Sequence, residues 1–155
     1  MIKFSAARLD REPIELSGNE PPEFIGLSEE DEFTVESPMN YDLVARKVSG
    51  GALVSGRCEV KLSGTCGRCL ENTVFTVAAE DIELFYDLDE YGEELDISED
   101  IREELLLNLP MNILCDEDCA GLCHDCGCNL NKKSCKCSSG TSGSLAWSAL
   151  DDLKL

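Results

Sequence analysis

Apolar and polar residues alternate through much of the chain before residue 90, and that period of two predicts strands. Ile2, Phe4 and Ala6 alternate with polar neighbours, so residues 2–9 read as a half-buried strand. Residues 10–31 hold Gly18, Asn19, Pro21, Pro22 and several acids, and read as a loop with at most a short strand at Phe24 and Ile25. Residues 32–48 form extended segments interrupted at Pro38. Gly50 and Gly51 then suit a tight hairpin turn, because both tolerate φ > 0. The next strand places Val54, Cys58, Val60 and Leu62 on one face and Arg57, Glu59 and Lys61 on the other, so Cys58 reads as a buried, inert thiol. In residues 72–87, Phe75, Val77 and Ala79 share a face before the phase shifts to Ile82, Leu84 and Tyr86, as a β-bulge near Glu80 and Asp81 would produce.

The period then changes to that of a helix. Over 97–109, Ile97, Ile101, Leu105 and Leu109 lie on one face, with Leu106 and Leu107 widening it. Asp96 and Glu99 have capping-box spacing, and Pro110 stops the run. The expectation is an α+β fold: an antiparallel sheet or partly open barrel sealed by this helix over residues 1–114. A cysteine-rich metal-binding module follows at 115–137, and a linker with a short C-terminal helix at 138–155. In that last stretch SSGTSGS has linker composition, and Leu145, Ala149 and Leu153 have helical spacing.

Cysteine spacing carries the chemistry. Cys66 and Cys69 form a CxxC at the tip between two strands; Cys115 and Cys119 form a CxxxC; Cys123 and Cys126 a second CxxC; Cys135 and Cys137 a CxC. Two thiolates two or three residues apart can face one ion from a single turn, and a tetrahedral ion needs two such turns. The pairs therefore suggest two structural Zn²⁺ sites, Cys66, Cys69, Cys115 and Cys119 in one, Cys123, Cys126, Cys135 and Cys137 in the other. The second closes a short loop unaided; the first is a long-range pairing in which Cys115 and Cys119 could instead join the tail pairs. Cys128 competes with Cys126, and the sole histidine, His124, could replace a thiolate. The tail, too small for a core of its own, would be held by metal alone.

Charge and composition narrow the function classes. The 155 residues carry a formal charge of −19, a poor direct grip for RNA or DNA and a field that favours a basic partner. Residues 80–104 contribute thirteen of the acids against Arg102 alone. No EF-hand spacing accompanies them, so calcium is not indicated. The N-terminal stretch has no apolar core of a signal peptide and no apolar run spans a bilayer, which points to the cytoplasm, where thiols stay reduced and zinc is favoured over disulfides. All-thiolate sites lack the open position of a catalytic zinc, and one histidine without a partner pattern offers no triad, so no enzyme and no small-molecule substrate is expected.

The stretch LCDEDCAGLCHDCGCNLNKKSCKC, together with CGRCL, the helix ending LLLNLP, and Trp147, Ser148, Ala149, Leu150 and Leu153, resembles the bacterial YceD-like family of large ribosomal RNA subunit accumulation proteins. The resemblance runs from about residue 50 to the end. It implies a role in 23S rRNA accumulation without a known catalytic activity. It also makes a small zinc-binding ribosomal protein, whose gene commonly lies beside those of the family, a plausible partner. The leading expectation is a zinc-binding accessory factor of large-subunit biogenesis that docks a basic ribosomal protein or pre-ribosomal particle on its acidic surface. Direct RNA contact would have to use Lys132, Lys133 and Lys136. The alternative is a redox-switched zinc chaperone that releases metal on oxidation.

Overall fold

The computed structural model describes residues 1–28, 31–88 and 94–137. Its backbone is mostly antiparallel β-sheet with a small helix content. The strands are β1 (Lys3–Ser5), β2 (Ile14–Glu20), β3 (Phe33–Val35), β4 (Met39–Val48), β5 (Gly51–Thr65), β6 (Asn72–Tyr86) and β7 (Glu94–Asp96). The helices are α1 (Ala6–Leu9) and α2 (Ser98–Leu107), with a 3₁₀ turn at Pro22–Ile25.

Alternation organises the long strands. β5 buries Ala52, Val54, Cys58, Val60 and Leu62, while Arg57, Glu59 and Lys61 face solvent. It pairs with β4 through a hairpin in which Gly50 alone takes a positive φ, 87°. On its other side β5 pairs with β6, and the register slips by one between Gly56 opposite Ile82 and Cys58 opposite Ala79. Glu80 and Asp81 therefore stand together against Arg57, the bulge the phase shift predicts. β2, β4, β5, β3 and β6 form one sheet, and β1 and β7 a second small one.

Several expectations are corrected here. Residues 2–9 are not one strand: pairing with β7 ends at Ser5, and the chain turns into α1. Residues 10–31 contain a seven-residue strand, β2, and Phe24 and Ile25 lie in the 3₁₀ turn. β2 survives its Gly18 and Asn19 because it pairs with β4 along its whole length, and the Tyr41 side chain fills the space Gly18 leaves. The acidic block contains β7, which pairs with β1 and buries Leu95 in the core. The capping box does not form: Asp96 accepts instead from the Ser98 backbone N–H at 3.0 Å, and Glu99 turns to Arg102 at 2.8 Å. The helix runs 98–107, short of the expected 97–109.

α2 buries Ile101 and Leu105 in the core, in one cluster with Ile2, Phe4, Leu43, Val54, Ile82 and Leu95. Beyond it the chain descends to the β5–β6 tip, where the Gly67 N–H donates to the Ile113 carbonyl at 2.9 Å. The proposed linker and C-terminal helix at 138–155, and Asp89, Glu90 and Glu93 of the acidic block, lie outside the described residues. Among the described residues, no helix is long and apolar enough to cross a membrane.

Candidate metal centres

The β5–β6 tip is a knuckle by virtue of its backbone. Cys66 N–H donates to the Glu71 carbonyl and Leu70 N–H to the Cys66 carbonyl, both at 2.9 Å, with Leu70 at φ 59°. This turn aims both sulfurs to one side. The segment after α2 supplies the opposite pair: Cys69 Sγ lies 3.6 Å from Cys115 Sγ, and Cys66 Sγ 3.9 Å from Cys119 Sγ. A second turn repeats the design, with Gly127 N–H donating to the Cys123 carbonyl at 2.8 Å and Gly127 at φ 70°. There Cys123 Sγ lies 3.4 Å from Cys135 Sγ.

The structure thus brings together Cys66, Cys69, Cys115 and Cys119 in one group and Cys123, Cys126, Cys135 and Cys137 in another, with the sulfurs of each group within 4.8 Å of one another. Four thiolates bonded tetrahedrally at the zinc–sulfur distance of about 2.3 Å sit about 3.8 Å apart. The observed spacings match that separation, so either cluster could hold a metal ion. Cys115 and Cys119 do not join the tail pairs, and His124 is exposed and outside both groups. Cys128 is a fifth sulfur beside the second group, its thiol pushed up to about 11 chiefly by Cys126 and by burial.

Crowding of sulfurs splits their proton affinities, since adjacent thiolates cannot all ionise together. Backbone N–H donors, Cys69 foremost, then Arg68 and Cys115, pull Cys66 down to about 6. Cys115, hydrogen-bonded to Cys119 and Cys69, is pushed up to about 12. In the second group the N–H groups of Cys126 and Asp125 lower Cys123 to about 6, while Cys126 drives Cys137 up to about 12. In the first cluster the Asn131 side chain also holds Cys119 below its ordinary value, so two sulfurs there are favoured as thiolates and two are disfavoured.

The tail is not held by its sulfurs alone, contrary to expectation. Leu122 N–H donates to the Arg68 carbonyl at 3.1 Å, and Arg68 Nη1 donates to the carbonyls of Glu117 and Cys119 at 2.9 and 3.2 Å. Asn131 accepts from Ala120 N–H at 2.8 Å through Oδ1 and donates from Nδ2 to Cys119 Sγ at 3.2 Å. Lys132 pairs with Glu71 at 2.7 Å, so one of the three lysines available for RNA is committed to a carboxylate. Arg68, Glu71, Asn129 and Asn131 are the residues that spacing did not single out. The repeated asparagine in NLN was their one visible signal: Asn129 Oδ1 accepts from the Asn131 N–H at 2.9 Å and fixes the turn.

A family described as "Large ribosomal RNA subunit accumulation protein YceD" matches residues 79–154. The chain is YceD-like. The YceD match takes in Cys115 through Cys137 but begins after Cys66 and Cys69. The chain is 46% identical over 44 residues, 28% of its length, to the Arabidopsis thaliana protein "Large ribosomal RNA subunit accumulation protein YCED homolog 1, chloroplastic". It is 44% identical over 45 residues to the protein of the same description in Zea mays. An uncharacterised Mycobacterium tuberculosis protein is 33% identical over 103 residues, 57% of this chain. These matches span 14%, 15% and 50% of the respective relatives, half their length or less. No solved structure matches.

Proposed function

We propose that this YceD-like chain is a zinc-binding accessory factor in large ribosomal subunit biogenesis. It supports 23S rRNA accumulation in the bacterial cytoplasm by holding a basic ribosomal protein or a pre-ribosomal particle, and it catalyses nothing. The observation that carries the reading is the pair of closed four-sulfur clusters in a chain with the family's C-terminal signature. Zinc fits because four thiolates at tetrahedral spacing suit a borderline-soft ion that needs no redox chemistry. With every ligand position filled by sulfur, such an ion has no place for a substrate water.

The ions act on the fold. Structural zinc contributes about 10–16 kcal/mol of apparent binding energy near neutral pH in small modules, enough to order the 115–137 segment against the hairpin tip. The electrostatics support a basic protein as the partner and leave RNA a poor one, with a formal charge of −19 and Lys132 already paired.

The test is a tagged chain recovered from growing cells at low and high salt, with and without RNase, alongside zinc analysis and the ratio of 23S to 16S rRNA after depletion. The reading expects two zinc ions per chain, a falling 23S share on depletion, and a salt-sensitive, RNase-resistant ribosomal protein on the tag. A complex abolished by RNase, or an unchanged rRNA ratio, overturns it.

A further inference from the structure

Among the described residues β6 has a strand on one flank only. Its ladder runs to β5, and along residues 72–79 no other described backbone group hydrogen-bonds to it. It is fifteen residues long. Sheets normally blunt an edge of that length with lysine, proline, bulges or short strands, because bare N–H and C=O groups template foreign strands. The later half of β6 is blunted in this way: the bulge at Glu80 and Asp81 bends it, and Glu83 adds a third exposed acid. The earlier half, residues 72–79 (NTVFTVAA), has no charge, no proline and no register shift, and carries Val74 at 59% exposure. Eight residues of unprotected edge offer about 27 Å of strand.

Charge selects the occupant. Between Arg68 and Arg102 the chain has no basic residue and twelve acids. On the solvent side of the sheet, β5 sets Lys61 opposite Thr76 and Arg57 opposite the bulge, against Glu59, Glu80, Asp81 and Glu83. A second copy would bring the same acids to the same edge and be repelled. A basic strand would be drawn in.

We propose that residues 72–79 accept an extended, Lys- or Arg-bearing segment of a protein partner as an added strand, its basic residues lying over Glu80, Asp81 and Glu83. This rests on the reading of a basic protein partner and names where that partner lands, just below the Cys66–Cys69 knuckle.

The experiment uses the full chain, its zinc content measured, and a fluorescent octapeptide of alternating Lys and Val. Controls are an octapeptide of alternating Glu and Val and a Lys–Val octapeptide interrupted by Pro. The edge variants are Val74→Lys and Thr76→Lys, both at exposed positions; the charge variant combines Glu80→Gln, Asp81→Asn and Glu83→Gln. Expected are binding of the basic octapeptide, about tenfold weaker binding of each control peptide and each variant, and slowed exchange of alternate amides within 72–79. Edge variants that bind as tightly as the native chain, while the charge variant loses binding, overturn strand addition and leave the acidic-docking reading standing. Binding of no basic peptide overturns both. Edge binding that appears only after deletion of 138–155, a dimer that Val74→Lys dissociates, or displacement of the peptide by single-stranded RNA would each assign the edge to another occupant and overturn the proposal.

Discussion

Asn131 donates from Nδ2 to the sulfur of Cys119 at 3.2 Å, a bond that reaches from the loop of one cysteine cluster to a sulfur of the other. Asn131 lies in the loop between the pairs of the second cluster; Cys119 belongs to the first. Its amide cannot rotate away, because Oδ1 is held by the Ala120 N–H. A neutral donor to a thiolate stabilises the charged form and orients the sulfur, as outer partners of metal ligands do. Asn131→Ala is expected to weaken retention of the first-cluster ion about 10–100-fold in competition with a chromophoric chelator. Lys132→Ala, which breaks only an exposed ion pair, should leave retention nearly unchanged.

Metal removal should act on part of the molecule. The core cluster centred on Leu43, Val54, Ile82 and Leu105 is distinct from the small buried cluster of Cys66, Cys69 and Cys119. A strong chelator is expected to open residues 115–137 to proteolysis while the β-sheet circular dichroism persists. Loss of the sheet signal at the same chelator concentration would show that the ions hold the whole fold.

Cys58 sets a pH dependence. It is 1% exposed, and burial, with a smaller push from Glu104, raises its thiol from about 9 to about 11. A raised folded value means the stabilisation is complete below pH 9, where folded and unfolded chains both keep the proton. It is lost between about 9 and 11, as the unfolded chain ionises first. Urea unfolding across that window should show a steeper fall for the native chain than for Cys58→Ala.

Two glycines should respond differently to the same change. A Cβ on Gly56 would sit 2.2 Å from the Asp42 carbonyl oxygen and 2.7 Å from Leu43 Cα, at φ 151°. Backbone must move to admit it, and Gly56→Ala is expected to cost more than about 3 kcal/mol. Gly50→Ala meets nothing within 4 Å and bears only its positive φ, a cost of about 1–2 kcal/mol. Denaturant midpoints separate the two.

On α2, Leu105→Ala should destabilise by about 2–5 kcal/mol, since the side chain is buried in a packed core. Leu107→Ala, 80% exposed two residues on, should fall within about 0.5 kcal/mol of the native chain in the same measurement.

Where sequence reading succeeded, the cause was local. Alternation from Val54 to Tyr86 states which side of the hairpin is buried, and the break at Glu80 and Asp81 states where the ladder slips. Close cysteine spacing likewise announces which sulfurs share a turn. What was illegible is set by partners distant in sequence. β2 ends in Gly18 and Asn19, which argue for a turn until Tyr41 is placed beside them. β7 is three residues in an acidic run, ordered by pairing with β1 and by burial of Leu95 among core residues distant in sequence. The asparagines of NLN looked like a family signature without a task, because Glu71 and Cys119 lie 58 and 12 residues away. The spacing of Asp96 to Glu99 suits a helix cap, but the equally local bond from the Ser98 N–H takes its carboxylate instead.

The span between Cys69 and Cys115, 46 positions, also sets a timetable. During synthesis the hairpin tip emerges with half a coordination shell and must wait for the rest of its ligands. The downstream tetrad completes itself within one short loop, almost as soon as it is made. Capture of the ions is therefore ordered by translation, and the upstream pair is the part of the nascent chain most exposed to oxidants or stray metals.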